Sequence, residues 1–181
     1  MYNNFYFWNT KSFLLLQEGY CRNIGDSTMK NKRPFLIYIL LILVFFLSMS
    51  AILGGGALTI DPSGTMLGMP LEMLRHSPFS DFLIPGLFLL VVLGTVPLIT
   101  FYGLIRKPQS DFAEKFNLDK DQHWSHTFSY YTGLMLILWI DFEVMFLRSV
   151  HMLHLLYSLL GIAIVILSQM PGVKEYYRRH G

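Results

Sequence analysis

Four long apolar stretches constrain this chain more than any other feature. They cover residues 35–53, 82–105, 128–147 and 152–170. The first two contain no charged residue, the third contains only Asp141 and Glu143, and the fourth contains His154. Each stretch is close to the roughly 20 residues that an α-helix needs to cross a hydrocarbon core about 30 Å thick. Charged residues make up 14% of the chain, against about a quarter in a typical soluble domain.

The pattern favours helices over strands for all four stretches. Backbone polar groups inside lipid must pair within their own segment or within a closed barrel. Barrel strands alternate apolar and polar residues, and this alternation is absent here. The sequence therefore predicts an all-α membrane protein, an antiparallel bundle of four transmembrane helices with a short outer amphipathic helix. Residues 34–171 form the predicted membrane domain, and residues 172–181 a cytoplasmic tail.

The distribution of lysine and arginine predicts the orientation. Between Lys30 and Arg179, ten basic residues lie on one side of the predicted spans: Lys30, Lys32, Arg33, Arg106, Lys107, Lys115, Lys120, Lys174, Arg178 and Arg179. The other side has only Arg75 and Arg148. Because basic residues near membrane helices are retained in the cytoplasm, both termini and the connection after the second span are predicted to be cytoplasmic. We expect the protein to lie in a bacterial cell membrane.

The chain before the first span, residues 1–33, is predicted to be cytoplasmic. Met29 is followed by basic residues and an apolar run, as at the start of a bacterial membrane protein, and Gly25-Asp26 can be encoded by GGAGAT, which resembles a ribosome-binding site. One interpretation is therefore that residues 1–28 lie upstream of the true start, and the other is that they form a disordered or interfacial cytoplasmic tail. A signal peptide cleaved near Ser48–Ala51 is disfavoured, because the apolar run exceeds the roughly 7–15 residues of a signal core.

The outer connection between the first two spans carries several turn signals. Gly54–Gly56 are expected to end the first helix, since each glycine costs about 1 kcal/mol of helix propensity relative to alanine. The motif Asp61, Pro62, Ser63 and Gly64 predicts a turn. After it, Met69–Arg75 has apolar residues at helical spacing and predicts a short amphipathic helix on the membrane surface. Ser77 is the predicted N-cap of the second span.

Pro97 interrupts the second span. It lacks an N–H and removes one hydrogen bond from a helix interior. Gly94, three residues earlier, permits close approach by a neighbouring helix. We expect a local irregularity at this position.

Ionisable residues cluster near the turn between the third and fourth spans. The candidate polar cluster comprises Asp141, Glu143, Arg148, His151 and His154. Arg148 lies about 140° around the helix from Glu143, so Glu143 needs a partner from another span. His151 and His154 share one helical face, and we expect Glu143 to face the bundle interior and contact one of them. Ion pairing with helix registry is the favoured role, and proton or substrate handling and metal binding are the alternatives.

A metal or haem site at this cluster has weak support. A glutamate and two histidines are plausible ligands, but no HExxH spacing is present. His123 and His126, in the motif HWSH, are predicted to lie at the opposite end of the bundle. Cys21 is the only cysteine, which excludes an intramolecular disulfide and a cysteine-type zinc site. We therefore predict no catalytic residue, no metal site and no cofactor.

Several motifs resemble those of small bacterial four-span membrane proteins that have no established activity. These motifs are GGGALTIDPSGTMLGMPLEMLRHSPFSDFLIPGLFLLVVLG, HW, WIDFE and YSLLG. The resemblance covers roughly Phe35 to Tyr177 and implies polar residues at Glu143 and His154, whereas Asp141 and Arg148 look particular to this chain. A fainter resemblance to DoxX-type proteins implies a four-helix architecture with a Gly/Pro-rich outer loop.

The sequence favours a non-enzymatic function. The leading hypothesis is a membrane protein whose outer loop and helix faces bind another membrane component or a second copy, with the lipid bilayer as its surroundings. No basic run suits nucleic acid. One alternative is a small transporter or channel subunit, proton-linked through Glu143 and His154. Another is a membrane redox component that uses haem or quinone at the histidines.

Overall fold

The computed structural model describes residues 34–148 and 151–179. Within these ranges, four helices are long and apolar enough to cross a membrane. They are α1 (Phe35–Ile60), α2 (Leu83–Arg106), α4 (Trp124–Leu147) and α5 (Met152–Gln169). Two short α-helices, α3 (Asp111–Lys115) and α6 (Pro171–Tyr177), and two 3₁₀ helices, Thr65–Leu67 and Leu71–Leu74, are also present. The predictions for residues 1–33, including Met29 and Cys21, lie outside the described residues.

The four long helices form the predicted antiparallel bundle. Helix α1 packs against α2 and α5, and α4 packs against α2 and α5, so the helices enclose a common core. Fully buried aliphatic residues occupy its centre, among them Leu40, Val44, Leu93 and Ile164. We call the end of the bundle with the Asp61–Gly64 turn the DPSG end. The opposite end, where α4 begins, is the HWSH end.

Glycines determine how closely α1 approaches α2. Contrary to the prediction, Gly54–Gly56 do not end the first helix, which continues to Ile60. A Cβ atom at Gly55 would lie 2.5 Å from the Leu90 nitrogen and 2.7 Å from the Gly86 oxygen, so the two backbones are in direct contact. Such contacts drive helix association in membranes, where small residues let backbones approach. The prediction was wrong because this packing outweighs the low helix propensity of glycine.

Helix α2 contains the irregularity expected near Pro97, in the form of a π-helical segment at Leu89–Thr95. The wider turn precedes the proline, which has no N–H to donate. The Ser48 hydroxyl of α1 donates to the Gly94 carbonyl at 2.8 Å. A neighbouring helix therefore supplies a donor beside the disrupted turn, as membrane helices with internal prolines require.

The predicted outer amphipathic helix is much shorter than expected. In place of a helix over Met69–Arg75, the chain forms a four-residue 3₁₀ turn, Leu71–Leu74. Leu74 is the buried residue of this turn, and it packs with Leu58 and Phe82. One anchoring side chain requires only one turn, so the apolar spacing did not extend into a longer helix.

The start of the second span also differs from the prediction. Ser77 is not its N-cap, because α2 begins at Leu83. The Asp81 carboxylate accepts the Leu83 N–H at 3.0 Å. The Ser77 hydroxyl instead accepts the Phe79 N–H at 3.2 Å and organises the turn before the helix.

Candidate ligand-binding cavity

A cavity of about 410 Å³ lies at the DPSG end of the bundle. All four long helices line it, and the α1–α2 connection covers it through Gly68, Met69 and Met73. Most of the lining is apolar, and the residues with polar side-chain atoms are Ser50, Trp139, Glu143, His151, His154 and Tyr157. Small-molecule sites have volumes of about 300–1,000 Å³, with apolar walls and few polar groups. The cavity has the size and chemistry of a site for a small amphipathic ligand.

Glu143 and His154 bring α4 and α5 together at this cavity. Glu143 Oε2 lies 3.9 Å from His154 Nε2, which agrees with the expectation that Glu143 contacts the fourth span. The His154 side chain is 8% exposed and that of Glu143 26% exposed. A distance of 3.9 Å is beyond a hydrogen bond. The two groups therefore face each other across a gap and do not form a direct hydrogen bond.

The other ring nitrogen of His154 has a structural role. The His151 N–H donates to His154 Nδ1 at 2.9 Å, and the His151 side chain accepts the backbone N–H of His154. The two histidines thus form a reciprocal capping box at the start of α5. Because Nδ1 accepts, a neutral His154 carries its proton on Nε2. The group that faces Glu143 is therefore an N–H donor.

Trp139 lies one helical turn before Glu143 and also lines the cavity. Its indole stacks on Phe88, with ring centroids 4.4 Å apart. Among the described residues, its buried Nε1 has no hydrogen-bond acceptor. An unpaired buried donor is uncommon in folded proteins and calls for a missing partner. This polar atom, on a residue one helical turn from Glu143, is a second sign that the hydrogen bonding of the cavity wall is incomplete.

The structure does not bring the whole predicted cluster together. Asp141 and Arg148 are exposed, and neither makes an ion pair within residues 34–148 and 151–179. Arg148 instead ends α4 in a left-handed conformation, with φ of 50°. In the same ranges, no group of three or more His, Cys, Asp or Glu side chains is arranged to hold a metal ion. The site is thus built on Glu143 and His154, with His151 positioning the latter.

The DPSG motif shapes the loop that covers the cavity. The Asp61 carboxylate accepts hydrogen bonds from the hydroxyls of Ser63 and Thr65 and, at 2.7 Å, from the Met66 N–H. These bonds, that of Ser63 first, lower the pKa of Asp61 to about 2. The Pro62 carbonyl accepts the Phe82 N–H at 2.9 Å, which ties the turn to the start of α2.

Gly64 completes this turn in a left-handed conformation, with φ of 75°. A Cβ atom there would contact the Met69 carbonyl oxygen and would lie 2.9 Å from the Phe82 ring. Glycine is therefore required both by the backbone conformation and by the space available. The motif acts as a folded support for the cover of the cavity.

The HWSH end is closed by buried polar residues whose clustering is not apparent from their spacing in the sequence. Helix α4 begins at Trp124, earlier than the predicted Phe128, with His123 as its N-cap, and both histidines of the motif are buried. His126 Nε2 lies 2.7 Å from the Ser168 carbonyl of α5, and Trp124 donates to the Pro108 carbonyl at 2.8 Å. The partners are distant in the chain, so local spacing gives no signal of them.

Helix α6 covers the same end. The Tyr177 hydroxyl donates to the Leu104 carbonyl at 2.8 Å, and the Tyr177 carbonyl accepts the His123 N–H at 2.9 Å. Burial lowers the pKa of His123 below its usual value. Its Nε2 lies 3.1 Å from the Pro108 carbonyl. Val173 and Tyr177 belong to the bundle core, so the segment after the fourth span packs on the bundle.

A scan against protein-family models and searches of curated proteins and of solved structures find no match to this chain. Interpretation of the cavity therefore depends on its own geometry.

Proposed function

We propose that this chain is a non-enzymatic membrane protein that binds a small amphipathic membrane component in the cavity at the DPSG end. The observation that carries the proposal is the cavity of about 410 Å³, lined by all four long helices, in whose mainly apolar wall Glu143 and His154 face each other without a direct hydrogen bond. An apolar wall suits an acyl or aromatic body, and few polar groups suit one polar head.

The two ends of the bundle differ in a way that supports binding over transport. Fully buried Leu40, Val44, Leu104 and Ile164 fill the core toward the HWSH end, where α6 adds a further layer. A ligand that enters the cavity thus meets close-packed side chains on its far side. A proton-linked transporter, the alternative that the sequence suggests, would need a second conformation in which these core residues move apart and open a path to the HWSH end.

The location that we propose is a bacterial cell membrane, with the HWSH end in the cytoplasm. The support is the concentration of lysine and arginine at that end, because segments rich in these residues next to membrane helices stay in the cytoplasm. The cavity would then open toward the outer leaflet, where a membrane lipid or a lipophilic molecule from outside the cell could enter. A second copy or another membrane protein remains a proposed partner of the lipid-facing helix surfaces.

Photolabelling of the purified protein in phosphatidylcholine nanodiscs tests the proposal. The probes are twelve-carbon chains with a mid-chain diazirine and an alcohol, ketone, amine or carboxylate head. We expect at least one probe to label the cavity wall saturably, for example in peptides containing Leu153 or Leu136. The labelled peptides are identified by mass spectrometry.

Two glycine variants on α1 provide a matched pair. Gly54 lines the cavity with no atom within 4 Å of an added Cβ, so Gly54→Leu should fill the cavity without disturbing the helix. Gly56 has equally open surroundings and lies outside the cavity lining. Saturable labelling should be lost in Gly54→Leu and retained in Gly56→Leu. Labelling that is unsaturable with all four probes, or equal in the two variants, would contradict the proposal.

A further inference from the structure

The gap between Glu143 and His154 specifies the head group of the ligand more closely than the cavity volume does. His154 Nδ1 is occupied by the His151 N–H, so His154 Nε2 presents a donor to the gap. Glu143 Oε2 presents an acceptor 3.9 Å away. The site thus offers one donor and one acceptor that are too far apart to satisfy each other.

A single oxygen atom can satisfy both groups. An oxygen placed about 2.8 Å from each would see the two atoms at an angle of about 90°, which a hydroxyl tolerates when it accepts one hydrogen bond and donates another. The Nε2–H would donate to this oxygen, and its O–H would donate to the carboxylate. A hydroxyl therefore completes the hydrogen bonding of the pair.

Other head groups leave one partner unsatisfied. An ammonium donates to Glu143 but has no lone pair for the His154 N–H, and a carboxylate is repelled by the carboxylate of Glu143. A ketone accepts from His154 but has no hydrogen for Glu143. A polar group that a bound ligand shields from water and leaves without a partner is costly, so selection among head groups follows from this arrangement.

We propose that the cavity binds an uncharged, hydroxyl-bearing amphiphile, such as a long-chain alcohol or a neutral lipid with a free hydroxyl, and that Glu143 and His154 hold the hydroxyl between them. This proposal rests on the proposed function, because it names the chemical class of the ligand of the same cavity. The apolar wall receives the chain, and Trp139 of the same lining has an indole N–H without an acceptor among the described residues.

Competition among unlabelled compounds of equal length tests the head group. Dodecan-1-ol, dodecan-2-one, dodecylamine and dodecanoate each compete with whichever diazirine probe labels the cavity of the wild-type protein in nanodiscs. We expect the alcohol to compete at a concentration about tenfold lower than the other three, since one unsatisfied partner costs about a factor of ten in affinity.

Substitution of Glu143 should change the ranking of the compounds. In Glu143→Gln the side-chain amide can donate, so the ketone should gain on the alcohol and the preference should fall to about twofold or less. Asp141→Asn is the control, because Asp141 is an exposed carboxylate on the same helix, outside the cavity lining, and should leave the ranking unchanged. A purely structural role of Glu143 would lower all affinities together.

The outcomes separate the two proposals. Saturable labelling with the ketone, amine or carboxylate competing as well as the alcohol would overturn the hydroxyl assignment and leave a binding cavity. Saturable labelling with an unchanged ranking in Glu143→Gln would also overturn the assignment. Failure of every probe to label the cavity would overturn both. The wild-type ranking needs no variant, so poor folding of Glu143→Gln would not prevent the test.

Discussion

Substitution of Gly55 by alanine should destabilise the bundle at the contact between α1 and α2. The added Cβ would lie 2.5 Å from the Leu90 nitrogen, 2.7 Å from the Gly86 oxygen and 2.9 Å from the Leu89 Cβ. These atoms belong to a helix backbone or to its first side-chain carbon, so no rotamer change can move them away. Since non-bonded atoms prefer about 3.5–4.0 Å, the two helices must separate locally by about 1 Å.

The expected cost follows from this separation. A gap of 0.5–1 Å forfeits roughly a quarter to a half of the dispersion energy of each affected contact, and forced overpacking typically costs about 1–3 kcal/mol. The gain in helix propensity from glycine to alanine is at most about 1 kcal/mol. We therefore expect the free energy of unfolding of Gly55→Ala to fall by about 1–2 kcal/mol.

Reversible unfolding in mixed detergent micelles, followed by circular dichroism, measures this change. Gly56→Ala is the matched control, because its added Cβ meets no atom within 4 Å and its helix propensity rises equally. The control should be neutral or slightly more stable than the wild type. If Gly55→Ala proved as stable as Gly56→Ala, the close crossing of α1 and α2 would be refuted.

Three further substitutions test other parts of the structure. Ser48→Ala should lower the free energy of unfolding by about 0.5–1.5 kcal/mol, since the Gly94 carbonyl loses its donor from α1, and equal stability would count against that bond. Asp61→Asn should accelerate hydrogen exchange at the Met66 N–H, which donates to the Asp61 carboxylate. In the wild type, the loop should lose protection from exchange as the pH falls from about 4 toward 2. The reason is that a carboxyl group with a lowered pKa stabilises the folded state only while it stays ionised there. Protection that is constant down to pH 2 would contradict this role. A cysteine at Lys115, in a variant without the native cysteine, should react with a membrane-impermeant maleimide only after cells are opened, and labelling of intact cells would reverse the proposed orientation.

The number of spans and the topology of the bundle could be predicted from the sequence because they depend on local composition. A run of about 20 apolar residues identifies a spanning helix without knowledge of its neighbours. The ends of the helices were harder to predict, because they depend on contacts between distant segments. Gly55 continues a helix that packs on Gly86, and Trp124, the first residue of α4, donates its indole N–H to the Pro108 carbonyl of the preceding connection.

The candidate site could be predicted only in part. The distance along α4 from Glu143 to Arg148 and the spacing of the two histidines were sufficient to predict that Glu143 meets α5. The cavity itself was not predictable, since its volume depends on how four helices and the DPSG loop pack. The capping box of His151 and His154, which leaves Nε2 as the facing donor, required atomic positions.

Quenching of Trp139 fluorescence by a brominated twelve-carbon alcohol in phosphatidylcholine nanodiscs tests the central claim most directly. Trp139 lines the cavity, and the difference between the wild type and Trp139→Phe isolates its signal from that of the other tryptophans. If the cavity binds the alcohol, quenching should saturate with alcohol concentration, be lost in Gly54→Leu and persist in Gly56→Leu. Quenching that rises in proportion to the bromine content of the bilayer, and is equal in both glycine variants, would show that Trp139 senses only surrounding lipid and would contradict a binding cavity.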